Sequence, residues 1–294
     1  MSDSTATLQR KISNAGELEA VVRTMKALAA SSISQYERAV NSLDEYYRTV
    51  QLGLLACLRQ GAPMSSNVHK HTVATGVIIF GSDQGLVGQF NDELADFAAH
   101  VLRDLPGNKV VWAVGERVQL RLEQIGLTPD SLFGVPTAIH AVTPLIGRIL
   151  AEIGRYSEQG RVEQVYIFHN RPKSGALYEP VSQRLLPLDA TWQHELLAQQ
   201  WPTQNLPEII GESALTLAAF IREYLFVSLF RSCVESLASE NASRLAAMQR
   251  AEKNIEEMLV DLRLSYHRLR QSGIDAELFD VVSGFELLIS NKKK

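Results

Sequence analysis

From Glu208 to Lys294 the chain has no proline, so nothing there forces a helix to break. Cysteine is nearly absent: Cys57 and Cys233 stand far apart and belong to no CxxC pair. That excludes a disulfide framework or a cysteine-built metal site, and both thiols are expected as buried small hydrophobes in a reducing compartment. No sign of charge dominates. Lys and Arg number 29 against 33 Asp and Glu, a net charge of -4, without the basic stripe of an electrostatic nucleic-acid binder. The terminal Lys292-Lys293-Lys294 run reads as a solvated end. Long apolar runs are also missing. Met1 to Ala15 is too polar for a secretory signal, Val73 to Phe80 is too short to span a bilayer, and Leu215 to Phe230 is interrupted by Arg222 and Glu223. A soluble protein is expected, one that could still dock on something in a membrane.

Catalytic motifs are missing as well. The stretch Gly81-Ser-Asp-Gln-Gly85-Leu-Val-Gly88-Gln-Phe-Asn91 follows a strand and opens a helix, where phosphate loops sit. Yet Asp83 stands where a dinucleotide fingerprint needs glycine, and no lysine follows for a triphosphate loop. The expectation is a structural turn that uses positive φ; a small-molecule role is the minor alternative. His69 and His71 lack a third ligand nearby. His100 and His267 read as solvated or partner-facing, and His140, His169 and His194 have no Cys, Asp or Glu at ligand spacing. GxSxG and HExxH do not occur, and Glu93, Asp96 and Asp104 read as helix-surface acids. No enzyme turning over its own substrate is expected, and no cofactor.

What the chain does have is length in its helices. Leu8, Ile12, Ala15, Leu18, Val22 and Met25 begin an apolar seam that continues at spacings of three and four to Leu54. Its period is near the 3.5 of a coiled coil, and Gly61-Ala-Pro63 is expected to stop it. A second seam runs through Ile255, Leu259, Leu262, Tyr266 and Leu269. A helix from Pro207 or Glu208 to the end would be roughly 120 Å long, a strut, tether or shaft. Between the seams the pattern changes. Apolar strands at 73–80, 109–114 and 164–169 alternate with helices at 90–102, 116–125 and 145–156. Such alternation predicts a mostly parallel sheet covered on both faces, with Rossmann-like layering. Val181 to Pro187 is expected as an edge strand of different orientation, and Trp192 to Pro207 as a hinge. The domains expected are an N-terminal coiled-coil helix (1–62), a central α/β domain (70–200) and a long C-terminal coiled-coil helix (207–294). The two helices would pair antiparallel and leave an apolar tip, Phe279 to Ile289, for a protein contact.

Several stretches carry a resemblance. Ser236-Leu-Ala-Ser-Glu-Asn-Ala-Ser-Arg-Leu-Ala-Ala-Met248 resembles the SLASExxARxxAM signature of the gamma subunit of F-type ATP synthases. Arg268-Leu-Arg-Gln271-Ser-Gly-Ile-Asp-Ala-Glu277 is similar to NRARQxxITxE, and Val281-Val-Ser-Gly-Phe-Glu to IVxGAEA. Thr24-Met-Lys-Ala-Leu-Ala-Ala-Ser31 resembles KAMxMVAAS, Ser82 to Asn91 resembles SDRGLCGGFN, and Leu185-Leu-Pro187 matches a late marker. These fall in order across about 80% of the chain.

The resemblance implies a non-catalytic central-stalk rotor. Its coiled coil would turn inside alpha and beta subunits, with the α/β insert against the epsilon subunit and the c-subunit ring. It would couple ion flow to ATP synthesis or hydrolysis at the cytoplasmic face of the plasma membrane, as a peripheral part of the complex. A non-rotary coiled-coil tether is the alternative. The implied partner contacts are Met25 and Lys26 near the beta lever loop, and Arg244, Gln271, Asp275 and Glu277 at the beta catch loops. For Arg244 the residues alone also offer an intrahelical pair with Glu240, and for Met25 ordinary seam packing. Departures from the family pattern include Glu17 and Glu19 before the first seam, Asp275 where threonine is usual and His267 where asparagine is usual. They point to a divergent bacterial-type branch, the alternative F-type complexes among its candidates, with the transported ion chosen by other subunits.

Overall fold

A computed structural model describes residues 4–60, 74–173, 176–205 and 207–291. The expected stop at Gly61-Ala-Pro63, the His69 and His71 pair, and the Lys292 to Lys294 tail lie outside the described residues, as do the side chains of 285–291 at the apolar tip. The elements run α1 (Thr5–Arg59), β1 (Ala74–Phe80), α2 (Phe90–Arg103), β2 (Lys109–Val114), α3 (Glu116–Gln124), β3 (Ser131–Phe133), α4 (Val142–Glu158), β4 (Val162–Lys173), β5 (Ala176–Leu186), α5 (Ala190–Leu197) and α6 (Ser213–Asn291). The chain forms two compact units, one of residues 29–244 and one of 1–28 with 245–294. Helices α1 and α6 contribute to both.

The larger unit is built on a five-stranded sheet of order β3-β2-β1-β4-β5. β1 pairs in parallel with β2 and β4, and β3 in parallel with β2. Only β5 is antiparallel, on the outer side of β4. Alternation along the strands separates two cores, because successive side chains point to opposite faces. Ile78, Phe80, Trp112, Val114 and Ile167 cluster with Ile146 and Ile149 of α4, Leu229 and Leu237 of α6 and Tyr36 of α1. Val77, Ile79, Val111, Ala113 and Phe168 cluster with Leu94 and Ala98 of α2 and Val118 and Leu122 of α3. Each fully buried Ile, Phe or Leu contributes about 1.5–3 kcal/mol, so two complete faces suffice for a stable sheet. A third cluster joins Leu54, Leu55 and Cys57 of α1 with Leu217 and Tyr224 of α6 and Leu196 of α5. Cys57 and Cys233 are both free and buried.

Within this unit α1 and α6 run antiparallel. Asp44 meets Arg231, Tyr46 donates to Glu223 at 2.6 Å, and Gly53 lies under the Phe220 ring. The smaller unit repeats the direction, with Arg23 near Glu256 and Lys26 on Glu252.

Four details differ from the sequence reading. α6 starts at Ser213, after Gly211 takes φ +103, and not at Pro207 or Glu208. The expected hinge holds α5, whose first turn is capped by the Asp189 carboxylate accepting from Trp192 N at 3.0 Å. α4 begins at Val142, since Pro144 in a first turn has no intrahelical bond to lose. β3 is too short to leave a periodic signal. In addition, the Ser213–Gly284 stretch of α6 holds a window of mean hydropathy 1.4, long and apolar enough by length and composition to cross a membrane; 28% of that window is buried inside the protein. Leu217, Tyr224, Val227 and Leu229 are among the buried residues of α6, and core packing accounts for their apolarity.

Candidate functional site

The glycine turn after β1 serves the fold at Gly81, Leu86 and Gly88. A Cβ on Gly81 would lie 2.3 Å from Val118, and Leu86 and Gly88 take φ 64 and 60. Ser82 N donates to Asn91 Oδ1 at 3.0 Å, while Asn91 Nδ2 donates back to Ser82 Oγ at 2.9 Å. Asp83, the residue that opposes phosphate, caps backbone instead. Its two oxygens accept from Glu116 N at 3.0 Å, at the start of α3, and from Val135 N at 2.8 Å. A carboxylate is favoured at a helix N-terminus.

The carboxyl ends of β1 and β4 are where the strand order reverses, the crevice in which open α/β sheets bind ligands. Here α6 lies across it. Ser236 Oγ donates to Phe80 O at 2.9 Å, and Ser243 Oγ to Val87 O at 2.6 Å. His169, register partner of Phe80, bonds through Nε2 to Glu235 Oε2 at 2.7 Å, their side chains only 4% and 6% exposed. Arg231 Nε donates to Glu235 Oε1 at 2.8 Å, its guanidinium reaches Asp44 at 3.1 Å, and it lies 5.6 Å over the Tyr47 ring. Burial pushes the Glu235 carboxyl up, but the bonds and charges of His169 and Arg231 outweigh it and hold it below the ordinary value. One turn on, the balance reverses. Burial raises the Glu240 carboxyl; Arg244 pulls it down, Asp83 adds to the rise, and the net direction is up. Glu240 Oε2, Arg244 Nε and Ser239 Oγ are buried without a hydrogen-bond partner.

The six residues singled out by the family motifs fall in different settings. Met25 and Lys26 are half-buried. Lys26 Nζ donates to Glu252 Oε2 at 2.5 Å, and Arg23 Nε to Glu252 Oε1 at 3.3 Å. The Lys26 bond is the largest influence holding the Glu252 carboxyl below its ordinary value. Arg244 Nη2 donates to Glu240 Oε1 at 2.7 Å, the intrahelical pair foreseen from the spacing. Gln271, Asp275 and Glu277 lie in a run, 271–284, in which every residue is exposed, including Ile274 at 53%, Leu278 at 62% and Phe279 at 70%. No hydrogen bond or ion pair joins the six to one another among the described residues. The sequence reading missed Glu252, His169 and Glu235. Their partners lie 226 and 66 positions away, beyond what local spacing reveals. Among the described residues, no group of three or more His, Cys, Asp or Glu could hold a metal ion.

Paired long helices, an α/β insert whose ligand crevice is filled by its own chain, and an exposed apolar helix end define a structural subunit of a larger assembly. A model of the ATP synthase family matches residues 4–288, and the chain belongs to that family, among its gamma chains. It is similar to the ATP synthase gamma chain of Polynucleobacter asymbioticus, 25% identical over 293 residues that cover 96% of this chain and 98% of that one. The gamma chain of Methylococcus capsulatus is 27% identical, with 93% of this chain and 96% of that one covered. Among solved structures, a chain of the Euglena gracilis mitochondrial ATP synthase (OSCP, F1 and c-ring, rotational state 3) superposes with a TM-score of 0.70 at 15% identity, covering 99% of this chain and 96% of that one. A chain of the Tetrahymena thermophila central stalk and c-ring gives 0.55 at 18% identity, covering 79% and 99%. These structural likenesses bear on fold.

Proposed function

We propose that this chain is the central-stalk rotor subunit of an F-type ATP synthase and couples transmembrane ion flow to ATP synthesis or hydrolysis without catalysing either. The observation that carries the reading is the 271–284 run of α6. A helix exposed on every side, with Ile274, Leu278, Phe279, Val281 and Val282 open to water, needs a surrounding partner to cover it. The curated relatives are ATP synthase gamma chains, and the similar Tetrahymena chain comes from a central stalk with its c-ring.

In this reading residues 1–62 and 207–294 form the shaft inside the alpha and beta subunits, and 70–200 form the foot that meets the epsilon subunit and the c-ring. The complex works at the cytoplasmic face of the plasma membrane, with this subunit peripheral. Met25, Lys26, Gln271, Asp275 and Glu277 touch the beta loops. Arg244 belongs to the same set and reaches its partner while Glu240 holds it. Charged and amide groups suit a rotating contact, because directional bonds break and re-form at each step. The test is purification of the tagged chain from gently solubilised native membranes, with partners identified by mass spectrometry. One copy per three alpha and three beta subunits is expected; recovery without ATPase subunits would leave the tether reading.

A further inference from the structure

Polar bonds fasten α6 to the carboxyl end of β1, to the turn that follows it and to His169 of the neighbouring strand β4, and they differ in kind from the packing around them. Leu229, Val234 and Leu237 belong to the apolar cluster on that face of the sheet. Such contacts are non-directional, so a helix can creep or turn over them with little loss. Hydroxyl donors are less forgiving, because a hydrogen bond weakens steeply with angle and distance. Ser236 and Ser243 both donate to main-chain oxygens, those of Phe80 and Val87. Seven residues apart, they stand about 10 Å from each other along the axis and nearly in line on one face. Two such points fix both the height of a helix and its rotation about its own axis. Glu235 on His169 is a third. A buried ionised carboxylate is no better for stability than apolar packing, which fits a register device better than a stability device.

We infer that Ser236, Ser243 and Glu235 are positioning residues that lock the rotation and register of α6 on the sheet, so that torque passes between insert and helix without slip. The inference rests on the rotor reading above. Each buried hydroxyl bond favours the docked over the undocked helix by roughly fivefold. Losing both shifts that balance about 25-fold if the two act independently. Slip should then appear under load before stability fails.

The test uses the complete complex, carrying this chain and its native partners, reconstituted in liposomes. ATP hydrolysis and ion pumping are measured together as the opposing gradient builds. The S236A/S243A double variant is expected to hydrolyse ATP within about twofold of wild type, while ions pumped per ATP fall about threefold or more as the gradient rises. Ser232→Ala is the control. Its hydroxyl is equally buried but donates only within the helix, to Ser228 O at 2.9 Å, and it should leave the ratio unchanged. An unchanged ratio in the double variant, with or without a lower melting temperature, overturns the inference and leaves the rotor reading intact. Equal losses from Ser232→Ala also overturn it. Should the double variant not assemble, the single Ser236→Ala and Ser243→Ala complexes decide by the same ratio. Failure of the wild-type chain to assemble with alpha and beta subunits would defeat the rotor reading itself.

Discussion

Alanine in place of glycine should have opposite effects at two helical positions of the same structural unit. Gly53 lies in α1 where Phe220 of α6 comes over it. A Cβ there would sit 2.3 Å from Phe220 Cε1 and 2.4 Å from Cζ, more than 1 Å inside ordinary carbon contact. The ring packs against the cluster of Leu54, Leu55, Leu217 and Tyr224, so it has little room to swing away. Overpacking of this kind costs about 1–3 kcal/mol. Against it stands the helix preference of alanine over glycine, about 0.5–1 kcal/mol. The net expectation for Gly53→Ala is a loss of about 0.5–2 kcal/mol. Gly147 in α4 is exposed, and a Cβ added there would meet nothing within 4 Å, so Gly147→Ala should gain about 0.5–1 kcal/mol. Urea titration of the full chain, followed by the combined fluorescence of Trp112 in the sheet core and of Trp192 and Trp201 beside the Phe220 cluster, measures both in one transition. Because the penalty at Gly53 is steric, a Phe220→Leu background should soften it. Equal gains from G53A and G147A would refute the steric reasoning.

Other perturbations separate the polar contacts. Glu235→Ala leaves His169 with no partner and takes one from Arg231; with Arg231 34% exposed, the usual 3–5 kcal/mol for breaking a buried pair is discounted to about 2–4 kcal/mol, read as a lower urea midpoint. Because the Glu235 carboxyl is held below its unfolded value, its ionic contribution is fully present above about pH 4.3 and is lost as pH falls through the depressed folded pKa. Glu235→Gln should therefore show a smaller acid-induced loss of stability than wild type in that window, measured by parallel urea titrations from pH 3 to 7. Glu252→Gln should weaken the α1–α6 pairing of the smaller unit only slightly and in a salt-dependent way, seen as faster amide exchange around Arg23 and Lys26 at low salt and no difference at about 1 M. Removal of residues 280–294 should leave the tryptophan fluorescence transition of the larger unit unchanged and weaken assembly or coupling of the complex; loss of that transition would contradict the rotor assignment of the helix end.

Most of the architecture was readable because it is periodic. The seam from Leu8 to Leu54 produced α1, and the apolar runs at 73–80 and 109–114 produced β1 and β2 at nearly the observed bounds. A run of consecutive apolar residues announces burial on both faces, and a parallel sheet follows. Short or mixed elements left no such trace. β3 has three residues, and α5 hides among the glutamines of the expected hinge behind an Asp189 cap. The polar sites were legible only in part. Glu240 and Arg244 pair at helical spacing and were foreseen. His169 and Glu235, 66 positions apart, meet only through tertiary packing, and nothing local to either residue marks the other.

That long-range pairing explains why an α/β insert of this kind has so little catalytic vocabulary. In open sheets the crevice beyond the strand ends at the reversal of strand order is the natural place for a ligand. In this protein the same place takes residues 235–243 of α6, and the polar groups that would have met a ligand meet the helix instead. His169 takes Glu235, and the Phe80 and Val87 carbonyls take serine hydroxyls. Asp83, which would repel a phosphate, holds the start of α3. The glycines at 81 and 88 serve a close approach to Val118 and a turn of positive φ. A fold that elsewhere presents a binding cleft has here been turned into a socket. The chemistry of such a socket is directional bonds from helix to sheet and a fixed register, which is what the rotor reading requires of this contact.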